Sequence, residues 1–306
     1  MEKTGSVQEK LKAAIHKNDF VGYVFAAPFI IGFMGFTVVP MLMSLYYSMT
    51  EYNLAAEPVW VGFENYIRMF TADERFWHSL GVTFKYVLIA VPLKLVFALF
   101  VAFLLTRNSR IVGFYRAIYY LPSLIGGSVA VSLVWKQLFS RKGLINSILL
   151  GIGLERVNWL GSEVWSIVPL ILITVWQFGS SMIIFAAGLK EIPGSYYEAA
   201  RIDGASTVKS FFYITLPCLS PIILFNLVMQ TITGFMVFTQ SFVITQGGPN
   251  DATNFIALYI YNHGFRFKNM GYASAMSWVL LVLIAAVTLI IFKVSNRFVF
   301  YEASDH

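Results

Sequence analysis

Hydrophobic positions in this chain gather into six long runs separated by polar connectors, at roughly 20–49, 80–106, 117–139, 164–189, 214–240 and 273–294. Each run is long enough to supply the ~20 residues an α-helix needs to cross bilayer hydrocarbon. A closed membrane barrel would instead show ~10-residue alternating strands. The pattern therefore predicts an all-α polytopic membrane protein with six transmembrane helices. Pro28, Pro40, Pro92, Pro122 and Pro169 fall inside these runs. Membrane helices tolerate proline where neighbouring groups re-satisfy the freed carbonyls. Pro217 and Pro221 break the start of the fifth run, which makes its boundary the least well defined. The first run is too long for the apolar core of a signal peptide and lacks a following small-residue cleavage site, so it is expected to persist as a helix. The chain then divides into a tail at 1–19, a first helix and external loop at 20–79, a transmembrane core at 80–294 and a second tail at 295–306.

Composition supports the pattern. Hydrophobic residues make up 58% of the 306 positions and charged residues 12%, against about 45–50% and about 25% in soluble domains. This excludes a disordered chain and argues against a soluble enzyme. The single cysteine, Cys218, excludes an internal disulfide and a cysteine-built metal site, and His16, His78, His263 and His306 are scattered. A net charge of +6 reflects basic loops here, not nucleic-acid binding. Segments 1–19, 107–116, 190–213 and 293–306 hold 12 Lys and Arg in 67 positions, whereas 50–79, 136–163 and 241–272 hold 8 in 90. The denser set is expected in the cytoplasm, with both termini; Arg141 and Lys142 run against that assignment.

Two lysines remain inside the second run. Lys85 lies near its outer end and can snorkel. Lys94 is near mid-depth, where insertion scales assign a cost of ~2.5–3.5 kcal/mol. It either faces a neighbouring helix or a polar pocket near Pro92, or it stands on a solute pathway.

Catalytic signatures are missing. The sequence contains no G-x-x-x-x-G-K-[ST] phosphate loop, no G-x-S-x-G, no HExxH and no paired cysteines. Any ATP energy must therefore come from another subunit, and no ATP or Mg site is expected in this chain.

The polar loop 190–217 reads KEIPGSYYEAARIDGASTVKSFFYITLP. Pro193-Gly194 should stop the fourth helix. Ser195 and Glu198 have capping-box spacing, Ala199, Ala200 and Arg201 favour helix, and Gly204 permits a left-handed break after Asp203. A second short helix is expected from Ser206 to Tyr213. Periodicity alone leaves two readings open, an ordinary interfacial loop or a rigid knuckle that docks into a partner.

Glu198-Ala199-Ala200, Gly204, and Ile214-x-Leu216-Pro217 have the spacing EAA-x3-G-x9-I-x-L-P. This resembles the signature loop of permeases from binding-protein-dependent ABC importers, and Asp203-Gly204-Ala205 resembles the sugar-importing branch. Trp60-Val-Gly-Phe-Glu-Asn65-Tyr66, Tyr115-Arg116, Leu121-Pro122, Val134-Trp135, Gly143-Leu-Ile-Asn146, Thr245-Gln-Gly247-Gly248-Pro249, Tyr259-Ile-Tyr261 and Gly271-Tyr-Ala-Ser-Ala275 extend the resemblance over nearly all of 20–294. The form is similar to the simpler six-helix maltose and glycerol-phosphate permease-like members, without extra amino-terminal helices or a large external domain.

The resemblance implies the type I ABC importer permease fold, a multi-pass protein of a bacterial-type inner membrane. It implies that Glu198, Ala199, Ala200, Arg201, Asp203 and Gly204 form a coupling element gripped by an ATPase subunit. Implied partners are a second homologous permease, a pair of ATP-binding subunits carrying ATP and Mg, an extracellular or periplasmic solute-binding protein, membrane lipid and a sugar substrate. Polar or aromatic residues deep in the spans become pathway candidates: Trp176, Gln177 and Ser180 in the fourth, and Asn226, Gln230, Thr233 and Gly234, which share one stripe, in the fifth. Similarity of segment length to the maltose permease branch aligns Gln230, Thr233 and Gly234 with a sugar-contacting stretch, although a family polar residue is missing at Gly234. Each amide has the alternative of an interhelical hydrogen bond. The Gly247-Gly248-Pro249 loop is either a structural turn or part of a binding-protein surface. Three other functions define what must be tested: an importer of glycerol phosphodiesters or polyols, an ion-coupled secondary transporter, and a membrane enzyme. The secondary transporter would require two inverted repeats, and the enzyme a cluster of ionisable groups in the spans.

Overall fold

The computed structural model describes residues 22–106 and 110–295. The tails assigned from sequence, and the basic loop at Arg107, lie outside the described residues. The predicted all-α architecture is present, with three uninterrupted helices long and apolar enough to span a bilayer: α1 (Gly22–Ser48), α3 (Glu74–Leu104) and α13 (Met270–Ser295). Among the described residues, three bent helix pairs also meet that length and composition when each is counted as one span, which brings the total to six.

Between α1 and α3 lie a short antiparallel ladder, β1 (Thr50–Glu51) with β2 (Val59–Trp60), and helix α2 (Glu64–Thr71). The Asn65 amide donates to the carbonyls of Ser48 at 3.0 Å and Thr50 at 2.9 Å, and the Tyr66 hydroxyl donates to Ser48 Oγ at 2.8 Å. The Asn65-Tyr66 pair of the sequence motif therefore closes the end of α1. After α3 come α4 (Arg110–Ile125), α5 (Val129–Leu138), α6 (Leu144–Gly151), α7 (Ile167–Trp176) and α8 (Gly179–Glu191). Beyond these are α9 (Gly194–Ile202), α10 (Thr207–Cys218), α11 (Ser220–Phe235) and α12 (Ile256–Tyr261).

The third run is not the continuous helix 117–139 expected from hydropathy. Its two halves meet at 99°, at Gly126-Gly127-Ser128, where Ser128 starts α5 by accepting the Val131 amide on its side chain. Hydropathy measures only how apolar a run is and cannot register the turn. The fourth run bends by 42° between Trp176 and Gly179, and the fifth by 66° at Leu219. The last bend lies between Pro217 and Pro221, which remove backbone donors on either side of it. By contrast, α3 continues unbroken through Pro92.

α3 is the central post, packed against α7, α8 and α11. Ala90, Ala98 and Ala102 on it are fully buried, and small residues let membrane helices approach closely. The same logic operates at Gly179, where an added Cβ would lie 2.1 Å from the Tyr119 carbonyl oxygen. α13 lies outside this post, against α1 and α11. None of the apolar window of α1 is buried, so its surface is available to lipid or another subunit.

Candidate functional site

Two regions hold most of the residues singled out in the sequence. The first is the loop that joins α8 to α11. Helix α9 does not begin with the expected capping box: Pro193 is the N-cap, no side-chain cap bond forms, and Ser195 lies within the first turn. Its end follows the sequence closely. Gly204 has φ +73°, the Ala205 amide donates to the Ala200 carbonyl at 2.8 Å, and the Gly204 amide donates to the Arg201 carbonyl at 3.1 Å. These are the two bonds of a Schellman cap, with glycine at the left-handed position.

The following helix starts as expected, with Ser206 Oγ accepting the Lys209 amide at 3.3 Å. It does not stop at Tyr213. A π-turn at Phe211–Thr215 carries it on to Cys218. Glu198, Ala199, Arg201, Asp203 and Gly204 are exposed, and Ala200 is half-buried. Ile202 is 87% exposed, an apolar side chain on a convex tip. Behind the tip, the Tyr197 hydroxyl and Thr215 Oγ1 share a hydrogen bond of 2.8 Å. Arg201 lines a cavity of about 260 Å³ there with Tyr197, Thr207 and Thr215. The knuckle is thus fixed to the root of α10 while its outer face stays free among the described residues.

The second region is a cavity of about 460 Å³ among α3, α7 and α11 and the segment that follows α11. Gln177, Gln230, Thr233 and Gly234 all line it. Lys94 joins them. It is 7% exposed, and its Nζ donates to Gln230 Oε1 at 2.8 Å. Gln177 ends α7, and its Nε2 donates to the Gly126 carbonyl at 3.2 Å. A Cβ at Gly126 would lie 2.4 Å from the Gln177 side chain, so glycine is what admits that amide to the α4 break. Thr233 Oγ1 donates to the Met229 carbonyl at 2.8 Å. At Gly234 a Cβ would press on Val87 and Val91 at 3.2 and 3.3 Å; the absent polar side chain is replaced by close packing on α3.

The other three candidates stand elsewhere. The Trp176 ring lies 5.8 Å from that of Trp135, in an aromatic stack continued by Phe139. The Ser180 amide donates to Ser123 Oγ at 3.0 Å, which satisfies the broken start of α8. Asn226 is buried one turn below the cavity and donates to the Ile222 carbonyl at 3.1 Å. Sequence reasoning also missed lining residues. The Tyr86 hydroxyl lies 2.5 Å from Thr174 Oγ1, and Gln240 completes the wall. Tyr86 and Thr174 belong to separate apolar runs, and no spacing relates them; Gln240 sits at the end of a run.

On the predicted outer side the Gly247-Gly248-Pro249 loop is a fixed structure. The Thr253 hydroxyl donates to the Gly248 carbonyl at 2.9 Å, and the Arg75 guanidinium clamps Asp251 through two bonds of 2.9 Å. Nearby, Asp73 caps α3 and accepts from Tyr259, Tyr272 and the Phe76 amide. Burial pushes the Asp73 carboxyl up, but the hydrogen bonds from Tyr272, Phe76 and Tyr259, with nearby His263, outweigh it and hold the group below the ordinary carboxylate value. Burial lowers His263 below the usual imidazole value, and Asp73 opposes that shift only in part.

The family model described as "Binding-protein-dependent transport system inner membrane component" matches residues 69–300. This chain belongs to that family. As a member it is an integral inner-membrane protein, and its apolar helices agree with that placement. It is 50% identical over 308 aligned residues to the probable ABC transporter permease protein YesP of Bacillus subtilis (strain 168), covering 100% of both chains. It is 33% identical over 285 residues to the arabinooligosaccharides transport system permease protein AraP of the same organism, covering 90% of this chain and 88% of that one. Among solved structures, a chain of a bacterial ABC transporter that imports the acidic polysaccharide alginate matches with TM-score 0.79 and 25% identity, covering 94% of this chain and 99% of that chain. The family member described here therefore has the type I ABC importer permease fold that the signature loop implied.

Proposed function

We propose that this chain is a permease subunit of an ATP-driven ABC importer that moves a sugar or oligosaccharide into the cytoplasm by alternating access. The observation that carries the reading is the pairing of two features on one set of helices. A cavity lined by Lys94, Gln177, Gln230 and Thr233 lies among α3, α7 and α11. An exposed knuckle at Glu198–Gly204 joins α8 to α10 and, through it, α11. Amides and hydroxyls in an otherwise apolar wall suit a polyhydroxylated solute. The names of AraP and of the alginate importer support a carbohydrate cargo.

The knuckle faces the cytoplasm in this reading, with both termini on the same side. An ATP-binding subunit holds Glu198, Ala199, Ala200, Arg201, Asp203 and Gly204. A second, homologous permease completes the cavity, a pair of ATP-binding subunits supplies ATP and Mg chemistry, and a solute-binding protein delivers cargo from outside. The permease itself performs no hydrolysis. ATP-driven closure pulls the knuckle, and rigid helix bodies convert the pull into exposure of the cavity to one side and then the other.

The test is to purify the complex with its binding protein, identify the retained solute, and measure its uptake into vesicles with and without ATP. ATP-dependent accumulation is expected. Uptake by the isolated chain, or a knuckle labelled only from outside by a membrane-impermeant reagent, overturns the reading.

A further inference from the structure

We propose that the cavity takes an anionic sugar whose carboxylate or phosphate meets the Lys94 ammonium. The inference rests on the importer reading above and narrows its substrate class. Lys94 is almost completely buried, and among the described residues its polar partner is the neutral Gln230 side chain, at 2.8 Å. An ammonium carries three donors and no acceptor, so one amide oxygen leaves both donors and charge uncompensated. The residues lining the cavity include no Asp or Glu. Among the described residues the ion pair within 4.0 Å joins Arg75 to Asp251 on the external side and does not involve Lys94.

A charge held in a low-dielectric wall is costly unless an opposite charge meets it. The remaining polar lining, including Gln177, Thr174, Thr233 and Gln240, is neutral and suited to hydroxyl groups. For a neutral sugar these amides and hydroxyls would suffice, and the buried ammonium would bring a penalty without a matching contact. For a sugar bearing one negative group, the same ammonium forms a charge-assisted hydrogen bond, the stronger kind. Gln230 then has a definite part: its Oε1 holds the Lys94 side chain in place without neutralising it.

The experiment uses the complete importer in proteoliposomes. Digalacturonate, neutral galactobiose and galactose 6-phosphate serve as probes, and uptake is read as the anionic-to-neutral ratio within one preparation. The wild type should favour an anionic probe, and the two anionic arms separate a carboxylate from a phosphate as the recognised group. Lys94→Gln should lower the ratio by about tenfold or more, as loss of a hydrogen bond to a charged group does, and Lys94→Arg should keep most of it. Gln230→Glu, which supplies an internal counter-charge, should also shift the ratio toward galactobiose. A wild type that prefers galactobiose, or a Lys94→Gln ratio equal to wild type, overturns the inference and leaves the importer reading standing. If none of the three probes is taken up, the same ratio is read with the solute retained by the binding protein; a retained solute that carries no anionic group overturns the inference, and the importer reading is overturned only by the results named for it above.

Discussion

Gly204 offers a direct test of the coupling loop because its structural requirement is purely conformational. Its φ is +73°, and a Cβ built there meets nothing within 4 Å. A substituted side chain therefore costs only backbone strain within this chain, about 1–2 kcal/mol for an ordinary L-residue in the left-handed region. Relief of that strain requires breaking the bonds from Ala205 to Ala200 and from Gly204 to Arg201, which rotates α9 relative to α10. A penalty of that size lowers the population of the native knuckle by about 5- to 30-fold. Gly204→Val should thus reduce transport while the chain still inserts, and should loosen the link between ATP hydrolysis and uptake. Gly204→Asn is the control, since asparagine tolerates the left-handed region. The assay measures both uptake and binding-protein-stimulated ATP hydrolysis in the reconstituted importer. Normal transport by Gly204→Val would refute the reasoning. Equal damage by Val and Asn would show that side-chain bulk against the ATPase, not the φ angle, is decisive.

Three further outcomes are expected. Asn65→Ala removes two of the three bonds that close the end of α1, those to the Ser48 and Thr50 carbonyls, and should cost about 1–3 kcal/mol, read as a lower thermal unfolding midpoint of the solubilised complex. Gly179→Ala places a methyl 2.1 Å from the Tyr119 carbonyl oxygen and 2.7 Å from Tyr120 Cα; overpacking against backbone should cost about 1–3 kcal/mol, and a yield and midpoint equal to wild type would contradict the close α4–α8 approach. His263 is held below its ordinary value by burial, with Asp73 favouring and Arg68 and Arg75 opposing the charged form. Its stabilising contribution is therefore present above the unfolded value of about 6.5 and is lost as pH falls through the folded value, so the midpoint should drop on acidification below pH ~6.5 and His263→Gln should flatten that drop.

Much of the fold was legible because the bilayer sets how long an apolar run must be to cross it. The limits of α1, α3 and α13 follow the first, second and sixth runs to within a few residues at most ends. The breaks were less legible. Pro217 and Pro221 marked one bend, but the sharper turn at Gly126–Ser128 depends on Gln177 reaching the Gly126 carbonyl from another helix. The proline inside α3 marked no break at all. The end of α9 was readable from Gly204, whereas its start was misread because Ser195–Glu198 spacing resembles a cap but Pro193 already occupies that position. For the cavity, the stripe on α11 located Gln230 and Thr233. Periodicity also admitted Asn226, whose amide is spent on its own helix, and it had no means to bring in Tyr86 and Thr174. Several family motifs proved to be internal braces. Asn146, for instance, is 1% exposed and ties the Val157 amide and the Trp159 indole to its Oδ1.

The joint between knuckle and cavity determines what a pull can do. Leu219, at the 66° bend, is fully buried. Gly188 on α8 admits it: a Cβ there would lie 3.0 Å from a Leu219 methyl and 2.0 Å from one of Ile222. Leu219 and Ile222 thus pack the bend against α8, and packed interfaces favour discrete arrangements over continuous flexing. α9 is bonded to α10 through Tyr197 and Thr215, and the packed bend joins α10 and α11 to α8. In the proposed importer, a displacement of Glu198–Gly204 would reach α8 and α11 together through these contacts. Gln177 lies just before α8, and Gln230 lies on α11, about 17 Å along the helix from the bend at 1.5 Å per residue. Two of the three amides that line the cavity, Gln177 and Gln230, stand on or beside the elements joined to the knuckle, and Lys94 stands on the central post packed against them.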